Sequence, residues 1–98
     1  MEILKNQNGS KLDLSVVGRL DTTTAPKLDA VVSNELDGVT ELQLDFEKLE
    51  YVSSAGLRVL LAAQKKMNKQ GSMVIRNVNS DIQEVFEITG FADILTIE

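Results

Sequence analysis

Neither cysteine nor histidine occurs among the 98 residues. Without cysteine there is no disulfide, no thiolate nucleophile and no thiolate metal ligand, a composition that suits a reducing compartment. Without histidine the commonest general base and the usual zinc ligand are gone as well. Any catalytic scheme would have to run on carboxylates, hydroxyls and amines. A carboxylate-dependent hydrolase using Asp21 and Asp45 is the form such a scheme would take, and neither acid has a matching catalytic partner in the sequence. The chain therefore reads as a binding protein rather than an enzyme, with no metal and no cofactor expected.

Aromatic residues are scarce, at 4%, and cations are outnumbered, with ten Lys and Arg against fifteen Asp and Glu and a formal net charge of -5. The first shortage argues against base stacking, and the second opposes a phosphate backbone, so no direct contact with nucleic acid is expected. Long apolar runs are missing too. None approaches the roughly 20 residues that span a bilayer, and Met1 to Asn6 lacks the apolar core of a signal peptide. The expectation is a cytoplasmic protein without membrane insertion.

What is present is a 43% hydrophobic fraction, enough for a single core in one compact domain over residues 1–98. Leu12, Leu14 and Val16 alternate with Asp13, Ser15 and Val17 after a turn signal at Asn8-Gly9-Ser10, which predicts two strands joined by a hairpin, the second ending near Gly18. Thr22-Thr23-Thr24 offers N-caps, Pro26 suits a first helical turn, and Leu28, Val31, Val32 and Leu36 form the apolar stripe of a helix that stops around Asp37-Gly38. Leu42, Leu44 and Phe46 mark a strand leading through Val52 into a helix with Leu57, Leu60, Leu61 and Met67 on one face and Gly71 as its stop. Met73-Val74-Ile75 is the next strand. A third helix is predicted with Ser80 as cap, Ile82, Val85 and Phe86 as stripe and Gly90 as its end, before a closing segment from Phe91 to Ile97. This alternation calls for an α/β fold: a mixed sheet of about four or five strands with helices packed on it, parallel apart from its start. Right-handed crossovers place Thr22-Thr23-Thr24 and Ser53-Ser54 near the same carboxyl edge of the sheet.

The serine pair is the most informative feature. Peptide N–H groups at a helix start lack internal partners and face the positive end of the macrodipole, so a phosphate sits comfortably there. Serine is also among the preferred N-caps. One cap accounts for one serine only: with Ser53 as cap, Ser54 takes the first helical position with its hydroxyl free. Ala55 and Gly56 leave the backbone bare for a close approach, or serve tight packing. Asp21, directly after a strand, reads equally as a turn former bonding nearby amides. Between Tyr51 and Ser80 the chain carries Arg58, Lys65, Lys66, Lys69 and Arg76 and no acid. Lysines late in the helix favour its negative end. Arg58 lies four residues after Ser54, a spacing of neighbours, where it either meets a phosphate on Ser54 or lays its stem on the surface and pairs with an acid of a partner.

The segment Ser53-Ser54-Ala55-Gly56-Leu57 resembles the signature of STAS domains that act as anti-sigma factor antagonists, whose usual form is Asp-Ser-Ser or Asp-Ser-Thr followed by Gly-Leu. Gly18-Arg19-Leu20-Asp21 resembles the family's Gly-x-Leu-Asp at the end of the second strand, and the order of elements agrees over nearly the whole chain. The resemblance implies a STAS fold and matches Ser54 to the phosphorylated serine, with Ser53, at the position of the family's aspartate, as the alternative acceptor. It further implies that the unphosphorylated protein sequesters an anti-sigma factor, a serine kinase with a histidine-kinase-like ATPase fold, and so frees a sigma factor for transcription. A serine phosphatase would restore the binding that phosphorylation ends. On this reading Asp21, Thr22, Thr23, Ser53, Ser54, Ala55, Gly56 and Arg58 face the partner, and the free protein is a monomer. The competing reading is a STAS module that is never phosphorylated, a subunit of a lipid-transport or signalling assembly.

Overall fold

A computed structural model describes residues 1–98. Gly9, with φ of 62°, turns strand β1 (Glu2–Asn8) back onto β2 (Lys11–Leu20), and the two pair antiparallel from Glu2 opposite Val17 to Asn8 opposite Lys11. The remaining elements are helix α1 (Ala25–Asn34), strands β3 (Glu41–Asp45) and β4 (Leu49–Val52), helix α2 (Ser54–Gln70), strand β5 (Ser72–Arg76), helix α3 (Ser80–Thr89) and a 3-10 turn at Phe91–Asp93. The sheet runs β1-β2-β3-β5, with β4 beside the far end of β2. Five strands, one of them antiparallel, and three helices make the mixed α/β architecture that the alternating pattern implies.

β2 serves two parallel neighbours in turn, and a glycine makes this possible. Its first half pairs with β3, from Lys11 opposite Glu41 to Ser15 opposite Asp45. The register then shifts between Gly18 and Arg19, and the last residues pair with β4, Arg19 opposite Tyr51 and Leu20 opposite Val52. Gly18 has φ of 101°, a conformation that side-chain-bearing residues rarely adopt. The strand thus runs to Leu20 rather than ending at Gly18, because β4 supplies a new partner.

Leu12, Leu14 and Val16, with Leu42, Leu44, Met73 and Ile75, form the sheet's contribution to one core of 25 buried residues. Leu28, Val31 and Val32 of α1 and Leu57, Leu60, Ala63 and Met67 of α2 close over it, while Leu61 is only half-buried. Two helix ends differ from the sequence expectation. α1 stops at Asn34, ahead of Asp37-Gly38, and side chains of α2 hold both its last turn and the loop that follows: Lys66 Nζ donates to Val32 O at 3.1 Å, and Gln70 Nε2 donates to the loop carbonyls of Leu36 and Val39 at 2.6 Å each. α3 is capped by Asn79 instead of Ser80. The Asn79 Oδ1 accepts from Ile82 N at 2.8 Å while its Nδ2 donates to Leu49 O at 3.1 Å, so one side chain both starts α3 and anchors it to β4. The closing segment returns to the sheet, with Ile97 bridging Ile75 in parallel.

Gly71 does follow α2, but not as a left-handed terminator. Its φ of 173° is open to any residue; what requires glycine is that a Cβ there would fall inside the Thr40 carbonyl. Gly71→Ala is therefore expected to destabilise the protein by about 1–3 kcal/mol through overpacking against backbone, read as a lowered urea midpoint with unchanged slope.

Candidate functional site

The adjacency of β2 and β4 brings two distant loops together at the carboxyl edge of the sheet. Past the last register pair, Ser53 N donates to Leu20 O at 2.9 Å, so the serine segment enters α2 directly beside the turn that begins at Asp21. The first turn of α2 then presses onto β2. A Cβ at Gly56 would lie 2.7 Å from Leu20 Cγ and 3.1 Å from Leu20 O, too close for any side chain without a shift. Gly56 is buried, so its contribution to the edge is this close approach and not a partner-facing surface.

The two serines differ in their surroundings. Ser53 has extended backbone angles and its Oγ accepts from Gly56 N at 3.4 Å, the geometry of an N-cap, and it is half-buried. Ser54 opens the helix and is exposed. At the first two helical positions, the N–H groups of Ser54 and Ala55 have no carbonyl a turn earlier to bond. Ala55 is half-buried against the core.

Asp21 organises the neighbouring loop. Its Oδ1 accepts from Thr23 Oγ1 at 2.8 Å, Thr23 N at 3.0 Å, Thr24 N at 3.2 Å and Thr24 Oγ1 at 3.2 Å. The single proton of Thr24 Oγ1 is shared between Asp21 Oδ1 and the nearer Arg19 O, at 2.7 Å, and α1 starts at the next residue without a side-chain cap, so the threonine hydroxyl holds the loop in place of capping the helix. Thr22 and Thr23 are exposed beside it. The bonds from Thr23, its hydroxyl foremost, hold the Asp21 carboxyl below its usual range against the opposing pull of desolvation. Asp21 is thus both the turn former and a fixed anion at the edge.

Arg58 is exposed one turn into α2 from Ser54 and joins none of the molecule's ion pairs. Arg19 and Tyr51, opposite one another in β2 and β4, complete the edge. The Arg19 guanidinium lies 4.4 Å above the Tyr51 ring, its Nε stands 3.8 Å from Asp21 Oδ2, and 41% of Tyr51 remains exposed. Neither residue emerges as a site candidate from the sequence, although Arg19 lies inside the Gly18–Asp21 motif and Tyr51 two residues ahead of the serine motif. The β2–β4 register is what joins them, and it depends on the shift at Gly18.

A sheet edge that joins a serine-led helix start to an aspartate-threonine turn defines an α/β module with one compact polar face at the carboxyl ends of its strands. The chain belongs to the STAS domain family, whose model matches residues 2–98. It is 44% identical over 55 residues to BtrV of Bordetella bronchiseptica, a protein named as an anti-sigma factor antagonist, covering 55% of this chain and 47% of that one. It is 33% identical over 58 residues to the anti-sigma-B factor antagonist of Listeria monocytogenes, covering 58% and 51%. The chain spans about half the length of these curated relatives. Its fold is similar to that of the anti-sigma factor antagonist SpoIIAA in its unphosphorylated form, with a TM-score of 0.79 at 18% identity over 99% of this chain and 87% of that one. SpoIIAA of Bacillus in the phosphorylated form is similar too, at 0.77 and 18% over 99% and 91%.

A group whose folded-state pKa is lowered stabilises the fold above its usual range, and that contribution is lost as the pH falls through the lowered value. Asp21→Asn, which keeps the shape and loses the charge, is accordingly expected to show a shallower acid limb than the wild type in thermal melts from neutral pH to below the usual carboxylate range. Parallel acid limbs would remove the ionised carboxylate from this account.

Proposed function

We propose that this chain is a phospho-switchable protein-binding module. Unphosphorylated, it sequesters an anti-sigma factor that is itself a serine kinase of histidine-kinase-like fold, and so frees a sigma factor for transcription. Ser54 is the acceptor: the γ-phosphoryl group of a nucleoside triphosphate passes to its Oγ, the hydroxyl proton is released and the nucleoside diphosphate leaves. A serine phosphatase reverses the modification.

The observation that carries this reading is the division between the serines, Ser53 committed to Gly56 N as cap and Ser54 exposed at the first helical position. A phosphate on Ser54 adds roughly -1.5 to -2 of charge and three acceptor oxygens. It meets the unpartnered amides of Ser54 and Ala55 at the positive end of α2, an arrangement that stabilises a helix by about 0.3–1 kcal/mol. The fold survives while the surface gains negative charge. Asp21, Thr22 and Thr23 lie across the edge on the same partner-facing side, and the names of the relatives, together with a similar fold solved both with and without phosphate, agree with the switch.

One observation favours a second reading, in which the module is a constitutive subunit of a larger assembly: Ser53 stands where the family pattern has aspartate, so the residue before the acceptor carries no negative charge. Capture of the anti-sigma factor by wild-type, Ser54→Ala and Ser54→Asp proteins separates the two. The switch predicts that the Ser54→Asp protein alone loses its partner; equal capture by all three supports the constitutive subunit. Mass spectrometry after incubation with the kinase is expected to place the phosphate on Ser54, and modification of Ser53 alone would overturn the assignment.

A further inference from the structure

All fifteen Asp and Glu of this acidic chain lie outside α2, which carries Arg58, Lys65, Lys66 and Lys69. Lys66 is engaged within the fold, its ammonium bonding the carbonyls of Val32 and Ser33 at 3.1 and 3.5 Å. The other three are exposed, and the molecule's ion pairs are Lys5–Glu35, Arg19–Asp21 and Arg76–Glu98, so none of these three has an acid to neutralise it. They are also aligned. Ser54, Arg58, Ala62, Lys65 and Lys69 succeed one another by steps of four, four, three and four, which puts them along one face of the helix, and all five are exposed. From Arg58 to Lys69 the face extends about 17 Å at the helical rise per residue.

Solubility does not call for this arrangement, since the rest of the surface is kept in water by an excess of acids. The helix dipole accounts for Lys69 in the last turn but not for Arg58, which stands in the half of the helix where a cation is disfavoured. The stripe also begins at the exposed serine on the carboxyl edge, so it continues the polar face described above.

We propose that this face of α2 docks an acidic segment of a partner protein, carboxylates spaced about one helical turn apart meeting Arg58, Lys65 and Lys69 in succession. A phosphodiester backbone is the disfavoured occupant, because the rest of the chain repels it. The proposal has a consequence for Ser54 that rests on the phosphoacceptor reading. A phosphoryl group there lies one turn from Arg58, takes its guanidinium in charge-assisted hydrogen bonds and faces the incoming carboxylates with like charge. The head of the stripe is then closed while Lys65 and Lys69 are left as they were.

A fluorescent helical peptide with glutamates at every third or fourth position serves as the probe, titrated by anisotropy against the full chain. Binding is expected to weaken steeply between about 0.01 M and about 0.15 M salt, where the screening length falls from about 30 Å to about 8 Å. The Lys65→Glu/Lys69→Glu protein, checked for an unchanged melting temperature, is expected to bind about tenfold more weakly at the lower salt, and Ser54→Asp about threefold more weakly. No binding at low salt, binding indifferent to the double reversal, or preference for a single-stranded oligonucleotide of equal charge would each overturn the docking proposal. A Ser54→Asp protein that binds as the wild type does would overturn the coupling to Ser54. Failure of the anti-sigma reading registers elsewhere, in capture of the anti-sigma factor, which does not use this peptide.

Discussion

The short parallel pairing of β4 with the last residues of β2 is the constraint on which the rest of the site depends. It is only a few residues long, yet it decides that Ser53 and Leu20 share a backbone hydrogen bond and that Asp21 and the serine pair emerge side by side. Two glycines make it possible for different reasons. Gly18 lets β2 change its register and its neighbour, and Gly56 lets the first turn of α2 rest directly on Leu20. Because α2 is fixed at that point, the direction of its whole exposed face follows, including the line of cations that runs away from Ser54.

The edge combines rigid and accommodating parts. Asp21 is locked by four hydrogen bonds from two threonines, and Arg19 is spread over Tyr51 with the same carboxylate nearby. Ser53 is occupied with capping. Ser54 is exposed without such constraints, backed by amides and a dipole that welcome negative charge. Charge added at such a position alters what a partner meets without asking the core to move, since the core residues lie beneath Leu20 and Gly56 and not at the hydroxyl. The surface is thus changed where the fold is least committed.

The elements were legible in the sequence wherever a period carried them: the hairpin at Gly9, the buried face of α1 and most of that of α2, the strand at Met73 to Ile75 and the alternation of strand with helix. β4, which the sequence pattern runs together with β3 as one strand, is a separate element because the chain leaves β3 at Asp45 and pairs again only with the end of β2. The serine pair was legible from helix-end chemistry, and its pairing with the Asp21 turn from the handedness of crossovers. What periodicity does not contain is where a carbonyl finds a donor from another element. Hence α1 ends early with Lys66 of α2 on its last turn and Gln70 on the loop that follows, and α3 starts from Asn79, whose second bond goes to Leu49. Nor does local pattern separate a terminator glycine from one demanded by a neighbouring backbone, as at Gly71 beside Thr40, or a partner-facing glycine from a packed one, as at Gly56 on Leu20. The stacking of Arg19 on Tyr51 escaped for a similar reason: it needs the register shift at Gly18, a conformational event with no periodic trace.

The central claim is that a phosphate at Ser54 remakes a surface on an unchanged fold, and amide NMR of the isotope-labelled protein before and after phosphorylation measures this residue by residue. The account predicts shifts confined to residues 53–58 and to the adjacent turn at 20–24, with the amides of β3 and β5 unmoved. Shifts spreading through the sheet, or a turn at Asp21 that does not sense the phosphate at all, would contradict it.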